Sequence, residues 1–175
     1  MSEDLSYPIG KFSRPAAPST AEFNTAVDSL TSQADRLRMA VDGLGDAQLD
    51  TPYRPGGWTV RQLTHHLADS HVNMYVRLKL ALTEDNPTIK PYDQDEWVKL
   101  SDTAEVPVAT SLELFDAVQQ RALSVLRNTN ASDRERTFLH PETGPTRIDQ
   151  LAALYAWHGD HHIAHIRNLR TRMGW

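Results

Sequence analysis

The sequence predicts an all-α protein built as a four-helix bundle, with a long crossover connection between the second and third helices. Three observations lead to this fold. Four segments carry apolar residues at intervals of three or four, which is the period of one helix face. Residues typical of helix N-termini stand near the start of each segment. The connection between the second and third segments, residues 84–108, is longer than the roughly 2–8 residues usual between antiparallel neighbours.

The N-terminal part of the chain is predicted to be an arm followed by a helix. The 175 residues are interpreted as a single domain, in which proline-rich residues 1–18 form an extended arm. The first helix is predicted to begin at Ser19 or Thr20, because Glu22 lies three residues after the serine in the pattern of a capping box. Gly43 lies where this helix is expected to end.

The second helix is predicted to run from Thr59 to about Thr83. Thr59 and Gln62 have the spacing of a second capping box. The connection that follows contains three prolines and one short helix candidate around residues 95–100. Its length favours a crossover between helices that are not antiparallel neighbours.

The third and last helices are predicted on either side of an irregular segment. The third is expected to begin at Thr110, with Glu113 three residues later. Residues 136–148 alternate irregularly and are interpreted as a small hairpin or a loop. Asp149 is the predicted N-cap of the last helix, and Gly174 is predicted to end it.

Composition excludes several classes of protein. The absence of cysteine excludes a disulfide framework, a thiolate metal site and a cysteine nucleophile. A formal net charge of −5 with interspersed signs argues against nucleic acid as a partner. No stretch approaches the roughly 18 apolar residues of a membrane helix, and the acidic start does not resemble a secretory signal. We therefore expect a soluble cytoplasmic protein without a membrane partner.

Histidine is the residue type that points to function. Of the eight histidines, four lie close together in the last predicted helix, at positions 158, 161, 162 and 165. The pairs His158/His162 and His161/His165 have the i, i+4 spacing that places two side chains side by side. Neutral imidazole is the commonest protein ligand for a metal. One pair and a third histidine from a facing helix would leave an open coordination position, as in catalytic zinc sites.

Helical geometry selects among these histidines. The apolar stripe of the last helix centres between His158 and His162, so this pair is preferred. On the second helix His66 lies near the inward stripe, whereas His65 is predicted to face away. A lone inward histidine is more commonly a hydrogen-bonded core residue. Two adjacent buried imidazoles, however, need a shared partner, and a metal would provide one.

The remaining histidines are assigned other roles. His71 and His140 are predicted to make hydrogen bonds, and His140 lies in a loop from which it could reach a pocket mouth. His161 and His165 are candidates for positions that line a pocket or support the metal ligands.

The zinc-protease helix motif His-Glu-x-x-His is absent. Gly159 occupies the position at which that motif requires the glutamate that serves as general base. A general acid or base must therefore come from elsewhere, and no catalytic residue is assigned. The candidates near enough in sequence are Asp69, Asp160, His161 and His165.

Four segments carry a specific combination of motifs. They are YRPGGWTVRQ at residues 53–62, HHLADSH at 65–71, KLALTE at 79–84 and WHGDHHIAHI at 157–166. Together they resemble the YfiT branch of the DinB-like proteins, and the similarity extends over nearly the whole chain. The resemblance implies a DinB-like four-helix bundle with up-down-down-up topology.

The resemblance also implies a metal site and a range of activities. The implied site holds a divalent metal, zinc or nickel, on His66, His158 and His162, in a homodimer that acts on a small-molecule substrate. The leading hypothesis is a metal-dependent hydrolase that activates water. The alternative is an S-transferase for a low-molecular-weight thiol such as bacillithiol. A third hypothesis is a binding module with a structural metal, which the three-histidine count disfavours because structural zinc normally has four protein ligands.

Overall fold

Four long helices form most of the protein, in a computed structural model that describes residues 5–175. In chain order the elements are α1 (Thr20–Val41), α2 (Asp46–Leu49), α3 (Val60–Thr83), α4 (Gln94–Trp97), α5 (Ser101–Glu105), α6 (Val108–Arg127), α7 (Ala131–Glu135), β1 (Thr137–His140), β2 (Gly144–Arg147) and α8 (Ile148–Met173). Helices α1 and α3 each pack against both α6 and α8. The prediction of an all-α four-helix bundle is confirmed.

The order of core residues along each helix gives the direction of the four long helices. The first apolar cluster includes Leu30, Leu78, Leu126 and Leu151, and the second includes Leu37, Leu67, Phe115 and Ile166. Helices α1 and α8 reach the first cluster before the second, whereas α3 and α6 reach the second cluster first. Helices α3 and α6 therefore run in the same direction, and the chain between them must return along the bundle. The predicted crossover is confirmed.

A buried polar layer lies between the two apolar clusters. Every long helix contributes to it at the point where its apolar residues change from one cluster to the other. The contributors include Gln33 of α1, His71 of α3, Gln119 of α6 and His162 of α8. Burying polar groups costs free energy unless they find partners, so this layer is the candidate region for a functional site.

The two predicted capping boxes set the start of α1 and α3. The Glu22 backbone N–H donates to Ser19 Oγ at 3.2 Å, and the Ser19 backbone N–H donates to Glu22 Oε2 at 2.7 Å. The same exchange joins Thr59 and Gln62, at 3.0 and 3.1 Å. Each box satisfies N–H groups that have no partner inside the helix.

The predicted starts of the other two long helices are each wrong by two residues. Helix α6 begins at Val108 rather than Thr110, because Pro107 takes the N-cap position without any side-chain cap. The fixed φ of proline suits the entry to a helix. Helix α8 begins directly after β2, with Arg147 and not Asp149 at the N-cap. The Asp149 carboxylate instead accepts a hydrogen bond from the Arg147 guanidinium at 2.7 Å.

The irregular segment before α8 is a hairpin, which confirms one of the two interpretations. Strands β1 and β2 pair antiparallel, with His140 opposite Gly144. The short helix predicted around residues 95–100 is present slightly earlier, as α4. Helices α2, α5 and α7 are additional single turns. No helix within residues 5–175 is long and apolar enough to cross a membrane.

Candidate metal centre

Three histidine nitrogens converge between α3 and α8. His66 Nε2 lies 3.3 Å from His158 Nε2, which in turn lies 3.1 Å from His162 Nε2. The three ligand atoms all lie within 4.8 Å of one another. Among the described residues this is the one group of three or more potential metal ligands. The structure thus brings together the three residues that the sequence and the resemblance select.

The spacing of these nitrogens fits a divalent metal. Zinc binds imidazole nitrogen at about 2.0–2.1 Å in tetrahedral geometry, which separates two ligand nitrogens by about 3.3 Å. The observed separations are 3.1 and 3.3 Å. A neutral imidazole carries a single N–H, and His158 Nε2 faces two other ring nitrogens. A shared cation satisfies all three lone pairs, whereas without it His158 Nε2 has a single N–H or a single lone pair for two neighbouring nitrogens.

Burial keeps these three side chains in the form that binds metals. It lowers the pKa of His66 from its ordinary value of 6.5 to about 4. Burial, followed by the neighbouring histidines, lowers the pKa of His158 and His162 well below that ordinary value. All three rings are therefore neutral at pH 7, as metal coordination requires.

A tight loop before α3 positions the ring of His66. The Trp58 ring packs against it with centroids 4.7 Å apart. Gly57 allows the loop to close, because an added Cβ there would lie 2.8 Å from Arg54 Cγ and 3.1 Å from the Tyr53 ring. The indole therefore limits the rotation of the imidazole.

His71 lies behind the three histidines and has no hydrogen-bond partner within residues 5–175, so the prediction that it makes a hydrogen bond is wrong. Its ring contacts Phe115 at 4.5 Å and Tyr155 at 5.1 Å between centroids, and lies 6.3 Å from His158. Neither of its nitrogens has a partner among the described residues. Aromatic rings fill the positions where a polar partner would stand. Burial, and secondarily His66, lower the pKa of His71 to about 3.

His65 and His140 also have roles predicted from the sequence, and the structure shows the surroundings of both. The expectation that His65 faces away is wrong: it is buried, and its Nδ1 lies 2.7 Å from Ser111 Oγ. The reason is that α3 is covered by α5 and α6 as well as by α8. His140 makes the predicted hydrogen bond, accepting from the Glu142 backbone N–H at 3.2 Å, and it also lines a cavity.

His161 and His165 form a second pair on α8, separate from the three-histidine group. Their Nε2 atoms lie 3.1 Å apart. Trp157 stacks on His161 at 4.6 Å, and Tyr53 contacts His165 at 4.2 Å between ring centroids. Both histidines line cavities, as predicted.

The two acidic candidates for a general base differ in their surroundings. Asp160 faces α1, where it forms a salt bridge with Arg36 at 2.6 Å and accepts a hydrogen bond from Ser29 Oγ at 2.9 Å. These contacts hold its carboxylate away from the facing helix α3. Asp69 is half-buried one turn after His66, and burial, with a smaller contribution from Asp102, raises its carboxyl pKa to about 6.

Two cavities meet at His158. One, of about 360 Å³, is bounded by the loop before α3 and the histidines of α8. The other, of about 540 Å³, extends toward the hairpin. Sequence reasoning did not identify three polar residues of the larger cavity, Ser70, Arg77 and Tyr92. The arrangement of neutral imidazoles at the junction of two open cavities is suited to a metal ion that small molecules can reach.

Comparison with known families decides the relationship. Residues 29–166 match the model of the DinB superfamily. The chain belongs to the DinB superfamily. Among DinB relatives, a Bacillus cereus protein is 47% identical over 172 residues, covering 98% of this chain and 99% of its own length. A Bacillus thuringiensis subsp. konkukian relative is 46% identical with the same coverage. Both carry the provisional name metal-dependent hydrolase.

Solved structures of similar proteins have the same fold. YfiT from Bacillus subtilis is described as a probable metal-dependent hydrolase with an unusual four-helix bundle topology. It is 43% identical, covers 99% of both chains and has a TM-score of 0.95. A second four-helix bundle protein, 19% identical with a TM-score of 0.56, shares the fold alone. The resemblance to the YfiT branch is thereby confirmed.

Proposed function

We propose that this protein is a metal-dependent hydrolase of small-molecule substrates, with a divalent metal on His66, His158 and His162. Zinc is the first choice and nickel the second. The observation that carries the proposal is the convergence of three neutral imidazole nitrogens 3.1 and 3.3 Å apart. When bound, zinc would lower the pKa of coordinated water to about 7 and so supply a nucleophile at neutral pH.

The protein itself contributes orientation and access. Trp58 holds the ring of His66, and burial keeps the three imidazoles neutral. The two cavities that meet at His158 admit the substrate. Neither acidic candidate is assigned as proton acceptor, because Asp69 lines neither of these cavities and Asp160 is held by Arg36 and Ser29.

Metal analysis of single-residue variants tests the site. The purified protein should hold about one equivalent of divalent metal per chain, and His162→Ala should lose most of it. His165→Ala is the matched control, because it removes the same side chain from the same helix without touching the group of three. Full metal retention in His162→Ala with loss in His165→Ala would show that the wrong pair was chosen.

Hydrolysis is tested on a panel of esters and amides. Turnover should require metal: chelation and His162→Ala should abolish it, whereas re-addition of zinc or nickel to the chelated wild-type protein should restore it. Comparing the two metals at equal occupancy shows which supports the faster reaction. Turnover that survives chelation would contradict a metal-dependent mechanism.

A low-molecular-weight thiol S-transferase is the second candidate. The engagement of Asp160 with Arg36 and Ser29 favours it, because a thiol on the metal is deprotonated without a protein base. Monochlorobimane with an added thiol is a suitable probe. A carbon–sulfur bond forms, chloride leaves and the thiol proton goes to solvent. Conjugation that requires both metal and thiol, without hydrolysis of the ester panel, would promote this activity above the hydrolase.

A binding module with a structural metal is the third candidate. It requires a fourth protein ligand, and the described residues offer three.

The homodimer implied by the family resemblance remains a proposal, and sedimentation equilibrium of the metal-loaded protein tests it. A monomer at micromolar concentration would contradict it.

A further inference from the structure

The larger cavity is lined by both His158 and the guanidinium-bearing side chain of Arg77. It is lined by Ser70, Arg77, Tyr92, His140 and Tyr155 in addition to His158. We propose that Arg77 binds the carboxylate of an elongated small-molecule substrate whose reactive group lies at the three-histidine site. This inference rests on the proposed function, and it names the chemical class of substrate.

The guanidinium of Arg77 is available for a ligand. It is half-buried, and within residues 5–175 no carboxylate oxygen forms a salt bridge with it. Its Nη1 donates a long hydrogen bond, 3.4 Å, to the Tyr155 hydroxyl. A guanidinium has five N–H donors in a planar fork that matches a carboxylate. Most of that donor capacity remains for the contents of the cavity.

The surrounding hydroxyl groups orient the site without adding charge. Ser70, Tyr92 and Tyr155 place three hydroxyl groups along the wall of the cavity. Burial raises the pKa of Tyr92 to about 12, so its phenol remains neutral at pH 7. This wall supplies neutral polar contacts along the cavity and leaves Arg77 as the cationic side chain that selects an anion.

The acidic residues of the cavity limit the charge of that anion. Asp93 already accepts hydrogen bonds from the backbone N–H groups of Asp95 and Glu96, as the cap of α4. Glu142 is exposed at the hairpin turn. Two carboxylates around the opening would repel a polyanion, so a ligand with a single carboxylate fits better than one with a phosphate chain.

The distance between the two ends gives the length of the substrate. Tyr155 spans the space between His158 and Arg77: its ring lies 5.7 Å from the His158 ring between centroids, and its hydroxyl lies 3.4 Å from Arg77 Nη1. A ligand that reaches from the metal side to the guanidinium must therefore extend about the length of a tyrosine side chain. The substrate is therefore expected to have the length of a dipeptide, with the reactive group and the carboxylate at opposite ends.

Calorimetry with a matched pair of ligands tests the proposal. The probes are N-acetyl-cysteinyl-glycine and its C-terminal amide, which share a thiol for the metal and differ in the carboxylate. The zinc-loaded wild-type protein should bind the acid about 10- to 100-fold more tightly than the amide, as expected for a charged hydrogen-bonded pair. In Arg77→Met this ratio should fall to about two or less, with the affinity for the amide and the metal content unchanged.

Arg167→Met is the control variant, because it removes an equal charge from an exposed position of α8 outside this cavity. It should retain the wild-type ratio. A ratio near one in the wild-type protein, or a preference for the acid that survives Arg77→Met, would overturn the proposal. The ratio of the two affinities does not depend on hydrolysis, because both ligands carry the same thiol. Metal content and ester turnover therefore test the proposed hydrolase activity separately.

Discussion

A substitution at Gly159 tests how the packing of α1 against α8 holds the metal ligands in place. This glycine lies within α8 next to His158, where an alanine would normally stabilise a helix by about 1 kcal/mol. Here the backbone of α8 approaches the fully buried amide of Gln33. An added Cβ would lie 2.3 Å from Gln33 Oε1, 2.4 Å from its Cδ and 2.5 Å from its Nε2.

The structure allows the cost of Gly159→Ala to be worked out. Ordinary contact with a Cβ begins at 3.4 Å, so the Gln33 amide must retreat by about 1 Å. That movement breaks its bond to the Ala156 carbonyl, 2.8 Å, and the bond that it accepts from Gln119 Nε2, 3.0 Å. Two unsatisfied buried groups cost about 1–3 kcal/mol each, and the helix gains about 1 kcal/mol. We expect a net loss of about 3 kcal/mol.

Urea denaturation and thermal melting of the metal-free protein measure this loss. For a chain of this size, about 3 kcal/mol corresponds to a fall in Tm of about 6–12 °C. The matched control is Gly159→Ala in a Gln33→Ala background, where the clash is absent. There the substitution should be neutral or stabilising by up to about 1 kcal/mol. Equal destabilisation in both backgrounds would refute the reasoning.

Three further predictions concern the metal-free state and the surroundings of the site. Chelation should lower Tm but leave the circular dichroism of the helices unchanged, because both apolar clusters remain intact; unfolding on chelation would favour the structural-metal alternative. The free energy of unfolding of the metal-free protein, followed by urea titration, should fall as pH drops from 6.5 toward 3. Burial lowers the pKa of His66 to about 4 and of His71 to about 3, so the unfolded chain binds more protons throughout that range. Asp160→Asn should retain the metal and most of the activity while losing about 1 kcal/mol of stability, since its partner is Arg36; loss of turnover with full metal would restore Asp160 as a catalytic candidate.

The helices were predictable because their signals are local. The capping boxes at Ser19 and Thr59 involve residues three apart, and the structure contains both hydrogen bonds of each box. The starts of α6 and α8 were not predictable in the same way. Thr110 and Asp149 could each cap a helix. The helices instead begin after Pro107 and Arg147, because the preceding chain already holds these two residues in extended conformation.

The metal-binding face was predictable from helical spacing, but its surroundings were not. His158 and His162 are four residues apart, so one helix brings them together whatever the rest of the fold does. The burial of His65 depends on α5 and α6, which cover a face that the apolar stripe leaves polar. Arg77 and Tyr92 are brought together by the crossover connection, and neither residue has a local pattern that indicates a site.

The two sides of the polar layer differ in how many of their polar atoms have partners. On the α1 side, Gln33 donates to two carbonyls of α8 and accepts from Gln119 Nε2, and Gln119 Oε1 is left without a partner among the described residues. On the α3 side, ring nitrogens of His71, His158 and His162 are buried without hydrogen bonds in the part of the chain described. Each such atom costs about 1–3 kcal/mol, a cost that apolar residues at these positions would avoid. A metal on the Nε2 atoms of His66, His158 and His162 would offset part of it through its coordination bonds. Of the eight buried side-chain nitrogen and oxygen atoms that lack a hydrogen-bond partner among residues 5–175, four lie on His71, His158 and His162, so half of this cost falls next to the place where a metal would stabilise the bundle.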